Sequence, residues 1–271
     1  MNSTFRIVVS LLSMLTFGLT IANAAELKPD TIAAFDQYIA ATEARLAPQF
    51  HGEGFLWSDG SAEARKTLGQ GAIAIHPQRG NGTTPIKGGL IEDWLGAVFV
   101  PHARLQDVLA MAQDYDRHGD IYKPDLQDTH LLSRSGDDFR MRMRVFKTKF
   151  FLTAVFNVER DVHFTALDDK HEYSRSYSQR IAEVSDPGKP GERELPVGQD
   201  RGLLWRLYAY WFYEERDGGV YIGCESISLT RDLPFALRTV FGPIIQDLPG
   251  ESLHTGLDQT RRAILSGTKK P

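Results

Sequence analysis

The chain has 271 residues, of which 42% are hydrophobic and 24% are charged. These fractions are typical of a folded protein and exclude disordered, collagen-like and disulfide-dense chains. The single cysteine, Cys224, excludes an intrachain disulfide and a thiolate zinc cluster. The formal net charge of −4 argues against a nucleic-acid partner, because binding phosphates requires a basic surface.

Residues 1–24 predict an export signal. One basic residue, Arg6, precedes an apolar run over residues 7–21, and residues 22–24 (Ala-Asn-Ala) form a small-x-small cleavage pattern. The run is shorter than the roughly 20 residues that a membrane-spanning helix needs. We therefore expect cleavage after Ala24, localisation in the periplasm or outside the cell, and no stable membrane anchor in the mature chain.

Residues 25–85 predict an N-terminal extension that covers the main domain, which we assign to residues 86–271. A helix is expected over Pro29–Ala47, with Asp30 as its cap and with Phe35 and Ile39 on one apolar face. A loop rich in glycine, threonine and proline follows at residues 78–89. We place the boundary between extension and main domain in this loop.

The main domain begins with a strand over residues 90–100 and a helix over Leu105–Tyr115. Strict alternation follows in residues 138–147, where Arg140, Arg142 and Arg144 separate apolar residues, as in an antiparallel strand with one wet face. The other strands are expected at residues 125–134, 153–166, 170–184, 202–216 and 219–230.

The chain is expected to end in a helix that begins at Pro249 and carries one stripe through Leu253, Leu257, Thr260 and Ile264. An antiparallel sheet with one apolar face must bury that face, and this helix is the available partner. The predicted fold class is therefore α+β: a curved antiparallel sheet of about six or seven strands around a long C-terminal helix, with an N-terminal helical extension.

Three segments resemble the START-like (SRPBCC, helix-grip) superfamily of polyketide cyclases, aromatase-like proteins and lipid carriers. They are Trp94–Pro101, the helix that begins at Leu105 and continues into Gln113-Asp114-Tyr115-Asp116, and Tyr122–Leu126. The resemblance covers roughly residues 90–266. It implies a helix-grip fold with a hydrophobic ligand cavity between sheet and helix, but it does not imply one reaction.

One predicted hairpin has Asp217-Gly218 as its two-residue turn. This turn places Tyr210 opposite Glu225, on a face that also holds Ile227. A carboxylate on an apolar face is costly unless it is hydrogen-bonded or paired with a charge. Glu225 is therefore a candidate for a polar site.

A second hairpin, with Leu167-Asp168 as its turn, places Arg160 opposite Arg175. A turn at Asp168-Asp169 would keep both on one face, whereas a loop with an odd number of residues would place them on opposite faces. Two guanidinium groups on one half-buried face require an anion. We expect Arg160, Arg175, Tyr210 and Glu225 to form the polar end of an apolar cavity and to bind a carboxylate or hydroxyl of the ligand. The alternatives are a structural ion-pair network, an outward-facing polar surface, and a general base at Glu225 near Tyr210.

The sequence has no spacing typical of a metal site and no nucleotide-binding or serine-hydrolase motif, so no metal and no cofactor are predicted. The first hypothesis is an exported, non-enzymatic protein that binds a hydrophobic or lipid-like small molecule. The second is an enzyme of the same fold, a cyclase, hydratase or hydrolase acting on a small aromatic or polyketide substrate. The third is a structural envelope protein without a ligand. The sequence leaves the oligomeric state open.

Overall fold

The structure is a computed structural model and describes residues 25–149, 152–232 and 248–267. The predicted export signal lies outside the described residues.

The described residues contain five α-helices: α1 (Pro29–Phe50), α2 (Ala62–Gly69), α3 (Leu105–Gln113), α4 (Tyr115–Ile121) and α5 (Leu248–Gly267). The first is three residues longer than predicted. Asp30 does not cap it, because Pro29 is already helical and the Asp30 carboxylate accepts a hydrogen bond from Lys87 Nζ at 2.6 Å instead. The predicted C-terminal helix is confirmed, with Leu253, Leu257 and Ile264 on its buried face.

The same ranges contain twelve strands, seven of them long. In chain order they are β1 (Ala25–Glu26), β2 (Ala74–Pro77), β3 (Thr83–Ile86), β4 (Gly89–Pro101), β5 (Leu126–Ser135), β6 (Asp138–Lys149), β7 (Leu152–Ala166), β8 (His171–Ser185), β9 (Arg193–Glu194), β10 (Gln199–Asp200), β11 (Arg206–Arg216) and β12 (Gly219–Arg231).

One antiparallel sheet organises the molecule, with the order β2-β4-β12-β11-β8-β7-β6-β5. Two short strands, β3 and β9, pair with β4 and β8 at its margins. The predicted loop at residues 78–89 thus contains a strand, β3, and residues 25–85 contribute to the sheet as well as covering it. The predicted α+β architecture of a large sheet and a C-terminal helix is confirmed.

We call the sheet face that packs against α5 the inner face. Leu253, Leu257 and Ile264 of α5 join one buried cluster with alternate residues of the long strands. Gly96 allows this close packing, because a Cβ atom there would lie 2.6 Å from Cδ1 of Leu257. Helix α3 adds Val108 to the same cluster.

We call the opposite face of the sheet the outer face, and α1 covers its centre. Phe35, Ile39 and Leu46 of α1 form a second buried cluster with Tyr210 and Phe212 of β11. The predicted apolar face of the N-terminal helix is confirmed. A sheet that is apolar on both sides therefore has a helix on each.

Candidate ligand-binding cavity

The β11–β12 hairpin has the predicted turn and register. Asp217 and Gly218 have φ angles of 56° and 75°, the left-handed conformation that a two-residue hairpin turn requires. Tyr210 lies opposite Glu225. The register prediction for these two residues is confirmed.

The predicted register of the β7–β8 hairpin is wrong. Ala166 pairs with Glu172, so the connection has five residues instead of two. Asp168 closes this longer loop, because its Oδ1 accepts hydrogen bonds from the backbone N–H groups of Lys170 and His171 at 2.8 and 2.9 Å. An odd number of loop residues reverses which side chains share a face.

As a consequence, Arg160 and Arg175 lie on opposite faces of the sheet. Arg160 pairs with Ser178, and Arg175 pairs with His163. A β-bulge interrupts the ladder between Glu159 and Arg160. Bulges commonly re-aim side chains near binding sites, and here the bulge lies directly beside Arg160.

The other three candidate residues come together on the outer face, in one row across β8, β11 and β12. There they contact α1 instead of the cavity. Tyr210 donates a hydrogen bond to Glu43 Oε1 at 3.1 Å, and Glu225 forms an ion pair with Arg45. The Arg175 guanidinium lies 5.8 Å from the ring centroid of Phe50. The predicted role of Arg175, Tyr210 and Glu225 in ligand binding stays a prediction, and their position on the outer face does not support it.

Two adjoining cavities of about 270 and 390 Å³ lie between the inner face and the helices. They share Arg160, Leu207 and Trp211 as wall residues, and α5 closes both with Ser252 and Gly256. Most of the walls are apolar, and the smaller cavity contains three methionines, Met111, Met141 and Met143. Space of this size and character is what a small-molecule site needs.

Arg160 differs from the other basic residues of these walls, because Lys147 pairs with Asp125 and Arg201 pairs with Glu183. Burial lowers its pKa to about 10, so the guanidinium remains charged at neutral pH. Its Nε has no hydrogen-bond partner, and Nη2 lies 3.5 Å from the carbonyl oxygen of Ser176. Among the described residues, no carboxylate pairs with it. The titratable groups that interact with it are the Tyr115 hydroxyl and the Cys224 thiol, both neutral because burial raises their pKa values.

A row of serines on β8 supports the same site. Ser174, Ser176 and Ser178 alternate along the strand, and the first two line the smaller cavity. This alternation is visible in the sequence and predicts that the three serines share one face of the strand. Relating that face to Arg160 also requires the length of the β7–β8 loop, which the alternation does not give.

A second polar group lies at the helical wall of the smaller cavity. The hydroxyls of Tyr122 and Thr260 are 2.9 Å apart and join α5 to the end of α4. His118 lies beside them, and burial lowers its pKa, which keeps the imidazole neutral. Of these three residues, Thr260 was predicted to lie on the buried stripe of the C-terminal helix, and it does. His118 and Tyr122 were not predicted, because the short helix α4 carries no clear apolar periodicity.

Neither a metal centre nor a membrane-spanning helix is found in the part of the chain that the structure describes. No group of three or more histidine, cysteine or acidic side chains could hold an ion there. Among the described helices, none combines the length and apolar character needed to cross a bilayer.

Comparison with known proteins gives structural likenesses only. No family model matches the sequence, and no curated protein matches it. Among solved structures, TTHA0849 from Thermus thermophilus is similar at a TM-score of 0.47 and 12% identity, over 65% of this chain and 98% of that one.

Two further solved structures are similar over comparable lengths. The STAR-related lipid transfer protein from Xanthomonas axonopodis has a TM-score of 0.45 and 14% identity, over 68% of this chain and 99% of that fragment. The di-domain ARO/CYC StfQ from the steffimycin biosynthetic pathway has a TM-score of 0.43 and 12% identity, over 66% of this chain and 53% of that one.

The assignment of the fold rests on the topology of the chain itself. The elements follow one another in the predicted order: a strand, two short helices, a run of antiparallel strands, and a long C-terminal helix packed on the inner face. The described residues therefore have a helix-grip fold.

Proposed function

We propose that the chain is an exported protein that binds one hydrophobic molecule with an anionic group, in the cavities between the inner face and α5. The observation that carries this proposal is Arg160. Its guanidinium is desolvated, faces a mainly apolar space and lacks a carboxylate partner among the described residues. Burying such a charge without a ligand costs free energy. A ligand carboxylate or phosphate would offset that cost.

The two other hypotheses have less support. A structural protein without a ligand has no need for cavities of about 270 and 390 Å³ with a charge in their walls. An enzyme with Glu225 as base and Tyr210 as its neighbour would need both side chains beside the substrate. Both lie against α1 on the outer face.

Export is part of the proposal and rests on the sequence of residues 1–24. Expression of the full chain in a bacterial host with a periplasm tests it by fractionation and intact mass. We expect the periplasmic product to begin at Ala25. An uncleaved chain in the cytoplasm would contradict export without bearing on the cavity.

Titration calorimetry with dodecanoic acid and dodecanol, at about pH 8 where the acid is ionised, tests the role of Arg160. We expect the protein to bind the acid more tightly than the alcohol. The change Arg160→Met should weaken acid binding about 10- to 100-fold, because a hydrogen bond to a charged group contributes about 1.5–3 kcal/mol. Binding of the alcohol should change little.

Arg140→Met is the matched control, because Arg140 is exposed on the outer face and pairs with Asp161 at 3.0 Å. It should bind both ligands like the unmodified protein. Equal affinity of the unmodified protein for acid and alcohol, unchanged in Arg160→Met, would refute the proposed anion site.

A further inference from the structure

The larger cavity has a second polar group in its wall, far from Arg160 along the sheet. Glu92 of β4 is 6% exposed and lines this cavity together with Ser228 of β12. The Ser228 hydroxyl donates a hydrogen bond to Glu92 Oε2 at 3.2 Å. No basic side chain among the described residues forms an ion pair with Glu92. Burial raises the pKa of Glu92 to about 7.

Glu92 and Arg160 lie at the two ends of one row across the inner face. Glu92 pairs with Ser228, and Ser228 pairs with Leu207. The backbone N–H of Leu207 donates to Ser178 Oγ at 3.0 Å, and Ser178 pairs with Arg160. Adjacent strands are about 4.8 Å apart, so the four steps span roughly 19 Å along the sheet.

The wall between the two polar ends is mainly apolar. Leu207 and Trp211 line both cavities, and Ala209 and Leu253 add apolar surface to the larger one. The adjoining cavities thus offer a path with Arg160 toward one end, mainly apolar sides, and an acidic group with a hydroxyl toward the other. Two further cations among the described residues line the walls, Lys147 and Arg201, and they pair with Asp125 and Glu183.

We infer that the preferred ligand is a long-chain acid with a hydroxyl group remote from its acidic group. The acidic group binds Arg160, and the hydroxyl binds Glu92 and Ser228. This inference rests on the proposed function and adds the recognition of the second end. It concerns selectivity among acids, whereas the proposed function concerns the anion site alone.

A hydroxyl suits Glu92 in either of its protonation states. It donates a hydrogen bond to the carboxylate and accepts one from the carboxylic acid. The pKa of about 7 means that both states are populated at neutral pH. A plain alkyl chain would instead cover Glu92 and leave Ser228 as its one side-chain partner among the described residues, and a buried carboxyl with unused hydrogen-bonding capacity is disfavoured.

Titration calorimetry at about pH 7 with paired acids tests the inference, using octanoic, dodecanoic and hexadecanoic acids and their ω-hydroxy counterparts. We expect at least one ω-hydroxy acid to bind about 5- to 30-fold more tightly than its plain partner. In Glu92→Leu this preference should disappear or reverse. Glu92→Gln should keep part of it, since an amide also bonds a hydroxyl.

Glu63→Leu is the control, because Glu63 is exposed on α2, and melting curves check that each variant is folded. Should Glu92→Leu not fold, Glu92→Gln and the unmodified protein still decide the question. The inference would be overturned if the unmodified protein bound plain and hydroxylated acids with equal affinity at every chain length. That result would not contradict the anion site at Arg160. Failure of every acid to bind, or binding that Arg160→Met does not weaken, would instead refute the proposed function.

Discussion

Arg160 carries a positive charge into a largely apolar space without a carboxylate partner among the described residues. A residue kept for stability would not be placed in this way, because a desolvated charge costs free energy that an apolar side chain of similar size does not. The position of Arg160 therefore supports the proposed binding role over a structural one.

This cost gives a stability prediction for the unliganded protein. Arg160→Met should raise the free energy of unfolding by about 1–3 kcal/mol, measured by urea denaturation of delipidated protein. The exposed Arg140→Met control should stay within about 0.5 kcal/mol of the unmodified protein. A loss of stability in Arg160→Met would mean that the guanidinium holds the fold together.

The sequence suggested Arg160 as a site residue but not its surroundings. Arg160 shares a face with Arg175 only if the β7–β8 loop has an even number of residues. The loop has five residues, and hydrogen bonds to the Asp168 carboxylate stabilise it at this length. The bulge beside Glu159 changes the register once more. Neither feature has a reliable sequence pattern, whereas the Asp217-Gly218 turn does, and its register was predicted correctly.

At the scale of elements, α1 attaches to the outer face through buried polar contacts as well as apolar ones. The Tyr38 hydroxyl donates to Asp93 Oδ2 at 2.8 Å, and Arg45 pairs with Glu225. Asp93 and Glu225 interact with each other, and one oxygen of each has no other partner. A proton shared between the two carboxyl groups would satisfy both.

Burial raises the pKa of Asp93 to about 6 and that of Glu225 to about 8, where the neighbouring Asp93 carboxylate also contributes. Both folded-state pKa values exceed those of the unfolded chain. Their protonated forms therefore stabilise the fold below the unfolded values. That stabilisation is lost as the pH rises through about 6 and then about 8.

We therefore expect Glu225→Gln to flatten the pH dependence of stability. The unmodified protein should lose about 1–3 kcal/mol relative to this variant between about pH 5 and about pH 9, as measured by urea unfolding. Glu63→Gln on the exposed surface of α2 is the control and should follow the unmodified protein. Parallel profiles for the unmodified protein and Glu225→Gln would contradict the assignment of a shared proton.

The packing of α5 on the sheet could be predicted from the sequence, because the apolar periodicity of the helix and of the strands shows which faces are buried. The alternation of Phe139, Met141 and Met143 with arginines marked one face of β6 as buried, and all three lie in the inner cluster. The cavity is different. Its volume depends on how closely α5 approaches the sheet, which Gly96 and the side chains of α5 decide together.

At the scale of the whole molecule, one sheet separates two environments. The centre of the outer face is covered by α1 and holds polar contacts that attach that helix. The inner face is closed by α5 and α3 and leaves room for a ligand between Arg160 and Glu92. The sequence indicated both layers, but it assigned three of four polar candidates to the wrong one.

The most direct test of the account is native mass spectrometry of the protein purified from its natural source, alongside Arg160→Met produced in the same cells. We predict that the unmodified protein carries one hydrophobic, anionic molecule that is released on denaturation, and that Arg160→Met carries much less of it. An unmodified protein without any bound molecule, or an equal load on both proteins, would contradict the account.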